Sequence, residues 1–137
     1  DRLKFKAEHT GQRRRPAGMG GYADIFLVAQ DGRHCAIVDA KASPRYSLAH
    51  VDILKMKETY IPNYDELCAG RRLDLEFASY VAGGFSGDVL TGLRQIQHER
   101  GVPCSAITAR KLLQIAKADK IDQVACRAML ARSCVYE

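Results

Sequence analysis

Residues 22–41, YADIFLVAQDGRHCAIVDAK, read as two apolar strands joined by a tight turn. The Asp-Gly pair in the middle of the segment is typical of a β-hairpin turn. Residues two apart on a strand point to the same face, so Asp39 and Lys41 project together from the end of the second strand. In such a hairpin, Asp24 lies at the same open end. The segment therefore predicts two carboxylates and one ammonium group at the edge of an apolar sheet.

Three charged side chains at the rim of an apolar sheet are costly to remove from water. A cluster of this kind is typical of a divalent-metal site that hydrolyses phosphodiesters. The alternative is a solvated surface ion pair, which most Asp-x-Lys tripeptides at strand ends form. The metal-site interpretation is favoured because the apolar run 35–38 leads directly to Asp39, where a buried strand reaches the surface.

A basic, glycine-rich tract, GQRRRPAGMGG at 11–21, precedes the hairpin. Proline and glycine predict a loop here, and backbone amides and positive charge suit a loop that faces phosphate. Arg13, Arg14 and Arg15 are therefore predicted to contact a phosphate backbone. A solvated charge run is the alternative for these three residues.

Composition limits the class of protein. The 137 residues are 47% hydrophobic and 27% charged, which predicts one globular domain over 1–137 with a substantial core. The net charge of +5 favours a polyanionic partner.

No stretch approaches the ~20 apolar residues of a membrane span, so we expect no membrane association. The five cysteines include no CxxC pair, which argues against structural zinc and disulfides and predicts a reducing, intracellular setting.

The order of the predicted elements indicates the fold class. A helix remnant at 1–8 is followed by strands at 22–30 and 33–42 and by a helix at 48–60, which Ser47 caps and a proline at 62 ends or kinks. Strands at 75–81 and 102–107 then alternate with helices at 88–100 and 109–117, and a last helix starts near 119. This order predicts an α/β fold, with a central mixed sheet flanked by helices on both faces.

Several segments together carry a resemblance to a known family. They are Asp24, the segment IVDAKA at 37–42, Tyr46-Ser47-Leu48 before a helix, the strand and glycine loop at 77–87, and the strand and helix at 104–113. In these segments the chain resembles the PD-(D/E)xK nuclease superfamily. Within it, the chain is most similar to the cleavage domains of FokI-like type IIS restriction endonucleases.

The resemblance implies a restriction-endonuclease-like core and a non-specific, Mg²⁺-dependent cleavage of double-stranded DNA, with Mn²⁺ as a substitute ion. By motif match, Asp24, Asp39 and the Ala40 carbonyl hold the metal, and Lys41 is the catalytic lysine. Whether Lys41 orients the attacking water, deprotonates it or stabilises negative charge is left open by the sequence. The helix that contains Leu54 and Glu58 matches the family's dimer helix in position, which implies a transient homodimer.

The resemblance also implies a setting in the bacterial cytoplasm and a longer chain with a separate DNA-recognition domain. Two other functions remain open. One is a DNA repair or junction-resolving nuclease with the same core, and the other is a catalytically silent DNA-binding or dimerisation module.

Overall fold

The computed structural model of the chain describes residues 3–10 and 21–137. Within these ranges, six strands form one mixed sheet in the order β1-β2-β3-β4-β5-β6. The strands are β1 (Phe5–His9), β2 (Ile25–Ala29), β3 (His34–Lys41), β4 (Asp74–Ala82), β5 (Cys104–Thr108) and β6 (Val135–Tyr136). The helices are α1 (His50–Lys55), a π-helical segment (Met56–Tyr60), α2 (Ile61–Gly70), α3 (Val89–Arg100), α4 (Ala109–Lys117) and α5 (Gln123–Leu130).

Strand direction changes at the middle of the sheet. β1, β2 and β3 pair antiparallel, whereas β3, β4, β5 and β6 pair parallel. The predicted β2–β3 hairpin is confirmed. Gly32 adopts φ of +68°, which glycine tolerates without a steric penalty, and its N–H donates to the Ala29 carbonyl at 3.0 Å. The Asp31 carboxylate accepts the N–H of Arg33 at 2.8 Å and completes the turn.

Two hydrophobic cores lie on opposite faces of the sheet, because alternate residues of each strand point to opposite sides. α1, the π-helical segment, α2 and α3 cover one face, and α4 and α5 cover the other. The predicted α/β architecture with a central mixed sheet is therefore confirmed. No helix among the described residues is long and apolar enough to cross a membrane.

The prediction of a helix remnant at 1–8 is wrong, because the structure has the strand β1 at Phe5–His9. β1 pairs antiparallel with β2, with Phe5 opposite Ala29 and His9 opposite Ile25. Pairing with β2 satisfies the backbone donors and acceptors of this segment. Two apolar residues were too few to define a period, so only the partner strand decides the conformation.

The observed helical region also differs in its bounds from the helix predicted over 48–60. It begins at His50 after Ala49, which makes no side-chain capping hydrogen bond, so Ser47 is not the cap. It continues past Pro62 to Gly70 through the π-helical segment. Pro62 lies in the first turn of α2, where its lack of an N–H is tolerated, and a π-helical turn alters the hydrogen-bond pattern just before it.

Side-chain caps begin α3 and α4 in the C-terminal half of the chain. The Asp88 side chain accepts the N–H of Thr91 at 3.2 Å at the start of α3, and Gly101 ends that helix with φ of +68°. The Thr108 hydroxyl accepts the N–H of Lys111 at 3.2 Å at the start of α4. The last helix begins at Gln123 rather than near 119. The short strand β6, which sequence periodicity did not indicate, pairs parallel with β5.

A glycine pair after β4 lets a neighbouring loop pack closely. A Cβ at Gly84 would lie 2.3 Å from the Pro44 carbonyl oxygen. The loop is fixed there by two hydrogen bonds, from the Tyr46 N–H to the Gly84 carbonyl at 2.9 Å and from the Ser86 N–H to the Tyr46 carbonyl at 3.0 Å. The glycine pair thus determines where Tyr46 is held.

We predict that Gly84→Ala destabilises the domain by about 1–3 kcal/mol, because the added methyl group meets backbone that has to move. Urea unfolding monitored by circular dichroism measures this change. Gly70→Ala is the matched control, since a Cβ at Gly70 meets no atom within 4 Å and Gly70 lies in a helix. Equal stability of the two variants would contradict the close approach.

Candidate active site

The β2–β3 hairpin brings Asp24 and Asp39 together. Ile25 pairs with Val38, so the next step along the antiparallel register places Asp24 opposite Asp39. The Asp24 carboxylate accepts the N–H of Ala40 at 2.8 Å. Asp24 is exposed, whereas Asp39 is only 5% exposed. One carboxylate therefore faces solvent and the other lies against the core.

Lys41 completes this group of charges. Its Nζ lies 2.8 Å from Asp39 Oδ2, as expected for residues two apart on β3. The same Nζ lies 3.3 Å from Oδ1 of Asp52, which comes from α1. The ammonium group also lies 5.7 Å from the centre of the Tyr46 ring, within the range of a cation–π contact. The sequence thus placed Asp24, Asp39 and Lys41 at one end of the hairpin, and the structure brings them together.

Asp52 belongs to this cluster and was not predicted. The Tyr46 hydroxyl donates to Asp52 Oδ2 at 2.6 Å, and the Tyr80 hydroxyl donates to the Asp52 carbonyl at 3.2 Å. One feature of the sequence could have drawn attention to its burial, although not to its contact with Lys41. Asp52 lies four residues before the buried Met56, so its carboxylate is on the apolar side of the helix.

The electrostatics of the cluster follow from burial and from the number of carboxylates. Burial raises the pKa of Asp39, and the negative charges of Asp24 and Asp52 add to the rise, although Lys41 opposes it. Burial on its own lowers the pKa of Lys41, but the hydrogen bonds and charges of Asp39 and Asp52 outweigh burial and raise it. Lys41 is therefore held as an ammonium ion, while the cluster favours additional positive charge.

Three tyrosines surround the carboxylates. Burial, together with nearby negative charge, raises the pKa of Tyr46, Tyr60 and Tyr80. Their phenol groups therefore stay protonated at neutral pH and can donate hydrogen bonds. Tyr46 and Tyr80 use this capacity on Asp52.

The donor set suits a hard divalent ion. Asp24, Asp39 and the Ala40 carbonyl offer only oxygen, and Mg²⁺ prefers one or two carboxylates and retains several waters. Within 3–10 and 21–137, no group of three or more His, Cys, Asp or Glu side chains is arranged to enclose a metal ion. Burial, and after it the charges of Asp24 and Asp52, raise the pKa of Asp39, so a bound cation would stabilise the ionised carboxylate. The residues present therefore fit Mg²⁺ or Mn²⁺ held in part by water.

The other predicted residues have different positions. Arg13, Arg14 and Arg15 lie outside the described residues. Leu54 on α1 is half-buried, and Glu58 in the π-helical segment is exposed. All five cysteines are free, and Cys35, Cys104 and Cys126 are buried as small core residues.

Comparison with known proteins identifies the family. The family described as "FokI, cleavage domain" matches residues 1–132. The chain belongs to the FokI cleavage-domain family. Two solved structures have the same fold. A FokI structure bound to DNA has a TM-score of 0.69 and 17% identity, over 96% of this chain and 24% of that chain. Another FokI structure has a TM-score of 0.72 and 15% identity, over 97% and 25%.

This chain therefore spans about a quarter of the length of the FokI chains that it matches. No curated protein sequence matches it. The family is that of a restriction endonuclease's cleavage domain. Asp39-Ala40-Lys41 occupies the last three positions of β3, an inner strand of the sheet.

We predict that Asp39→Asn raises the stability of the metal-free domain at neutral pH. The folded-state pKa of Asp39 lies above its ordinary value of 3.8, so its ionised form costs stability, and this cost grows as pH rises through the window between the two values. Below about pH 4 Asp39 is protonated in both states, and the advantage of the variant should vanish. Unfolding in chelator at both pH values measures the difference. A variant less stable than the wild type at neutral pH would contradict the prediction.

Proposed function

We propose that this domain hydrolyses phosphodiester bonds of double-stranded DNA as the non-specific, metal-dependent cleavage domain of a type IIS restriction endonuclease. One observation carries the proposal: Asp24, Asp39 and Lys41 converge at the end of β3 in a member of the FokI cleavage-domain family. A solved FokI structure is a complex with DNA, and family membership supports the same class of substrate here.

Asp24, Asp39 and the Ala40 carbonyl would hold Mg²⁺, with Mn²⁺ as a substitute. When bound, the ion supplies Lewis-acid polarisation of the phosphate and a bound water of lowered pKa. Asp39 contributes a buried carboxylate and Asp24 an exposed one, so the site is open to solvent and substrate on one side.

Lys41 acts in this proposal as a fixed positive charge. The raised pKa of Lys41 favours an ammonium that stabilises negative charge on the phosphate or orients the attacking water, rather than a free amine that removes a proton. Of the three roles that the sequence left open for Lys41, two therefore remain in this proposal: orienting the attacking water and stabilising negative charge. The surrounding core limits water around the ammonium, which strengthens its electrostatic effect.

Contacts to the DNA backbone complete the proposal. Arg13, Arg14 and Arg15 supply positive charge that binds phosphate without reading the bases, so the affinity for DNA falls as salt concentration rises.

For double-strand cleavage we also propose a transient homodimer through α1 and the π-helical segment. Val51, Lys55 and Glu58 are exposed there at helical spacing, and Val51 is 57% exposed.

We predict that Asp39→Ala or Lys41→Ala lowers the rate of DNA cleavage in Mg²⁺ by about a hundredfold or more, while the fold is retained. Nicking of supercoiled plasmid measures activity, and circular dichroism checks the fold. Glu66→Gln is the control for Asp39→Ala, because Glu66 is exposed on α2 and its change also removes one negative charge. Running linear and branched duplexes in parallel separates a restriction-type nuclease from a junction-resolving one. Undiminished Mg²⁺-dependent nicking by both alanine variants would end the assignment.

Metal binding gives a separate prediction. Titration calorimetry with Mn²⁺ should detect binding to the wild-type domain and little or none to Asp24→Ala or Asp39→Ala, because each change removes one of two carboxylate ligands. Heat release that is the same in all three proteins would show binding elsewhere. A catalytically silent module would bind no ion in a manner that depends on these two residues.

A further inference from the structure

Lys41 has two carboxylate partners, and only one of them comes from the predicted catalytic motif. Asp39, at 2.8 Å, is the neighbour two positions back on β3. Asp52, at 3.3 Å, is eleven residues further along the chain on α1. The side chain of Lys41 is 22% exposed and that of Asp52 is 15% exposed, so this pair is largely shielded from water.

The two carboxylate partners of Lys41, Asp39 and Asp52, differ in whether they also bind the metal ion in the proposed function. In the proposed function, Asp39 is also a metal ligand, and a carboxylate shared between two cations binds each of them less strongly. Asp52 is not part of that ligand set. Its carboxylate is therefore available to hold the Lys41 ammonium independently of what Asp39 binds.

Asp52 is itself fixed from two directions. Its Oδ1 faces Lys41 while its Oδ2 accepts the Tyr46 hydroxyl at 2.6 Å, so each carboxylate oxygen has a partner. The Tyr80 hydroxyl donates to its backbone carbonyl at 3.2 Å. Tyr80 lies on β4 opposite Asp39 in the β3–β4 register, so the strand paired with β3 also holds Asp52.

We propose that Asp52 is a positioning residue for the nuclease reaction: its carboxylate anchors the Lys41 ammonium beside Asp39, and the Tyr46 hydroxyl orients that carboxylate. This inference rests on the proposed function and deepens it. The active site then consists of the strand-end motif and a helix-borne anchor. A purely structural role for Asp52, as a link between the Tyr46 loop and α1, is the competing explanation.

The variants Asp52→Asn and Asp52→Ala separate these two roles. Asn keeps an oxygen that accepts the Tyr46 hydroxyl but has no charge for Lys41, whereas Ala loses both contacts. A positioning role predicts that both variants slow single-turnover cleavage at saturating DNA by about ten- to a hundredfold, with DNA affinity unchanged. A structural role predicts wild-type cleavage for Asn once both proteins are folded, and this result would overturn the proposal.

Two further variants test whether Asp52 acts through Lys41 and Tyr46. Tyr46→Phe should slow cleavage less than Asp52→Ala, because it frees the carboxylate but leaves its charge. Adding Asp52→Ala to Lys41→Ala should lower the residual nicking no further, since the group that Asp52 positions is gone. Independent losses that multiply in the double variant would count against the proposal. Glu66→Gln again serves as the matched control.

Nitrogen-15 NMR of lysine ammonium groups gives a readout that needs neither metal nor activity. In chelator, the Lys41 ammonium should give a slowly exchanging signal that is missing in Lys41→Ala and lost or broadened in Asp52→Ala. An unchanged signal in Asp52→Ala would overturn the anchoring. The two proposals fail differently. An inactive wild type with an Asp52-dependent Lys41 signal refutes the nuclease function but leaves the anchoring of Lys41 by Asp52 intact. An active wild type with unaffected Asp52 variants refutes only the positioning role.

Discussion

The ion cluster formed by Asp39, Lys41 and Asp52 is the constraint on which the surrounding structure depends. Charged groups this far from water are stable only when they are paired and hydrogen-bonded. Lys41 satisfies two carboxylates, and Tyr46 satisfies the remaining oxygen of Asp52. Because these partners come from a strand, a loop and a helix, the cluster forms only when all three are correctly packed.

The sheet supplies the rigid part of this arrangement. β3 pairs antiparallel with β2 and parallel with β4, and it is the strand on which the charges meet. Its register with β2 sets Asp24 against Asp39, and its register with β4 sets Tyr80 beside them. A slip of one residue in either pairing would turn the charged residues to the opposite face. The grouping of Asp24, Asp39 and Lys41 therefore depends on strand register as much as on residue identity.

The site also illustrates a conflict between stability and function. Burial and neighbouring carboxylates raise the pKa of Asp39, which means that its ionised form is unfavourable in the domain alone. Groups whose charge is unfavourable in the folded state cluster at functional sites, which agrees with the role proposed for Asp39. The likeness to FokI structures at 15–17% identity indicates that the fold tolerates wide sequence change.

Local sequence determined the hairpin at Asp31-Gly32, the caps at Asp88 and Thr108, and the grouping of Asp24, Asp39 and Lys41, because turns, caps and strand alternation act over a few residues. Tertiary structure alone decided β1, β6 and the passage of the helix beyond Pro62. It also brought Asp52 to Lys41. Short edge strands and a helix-borne partner are fixed by pairing and packing with distant segments, and no local pattern encodes that proximity.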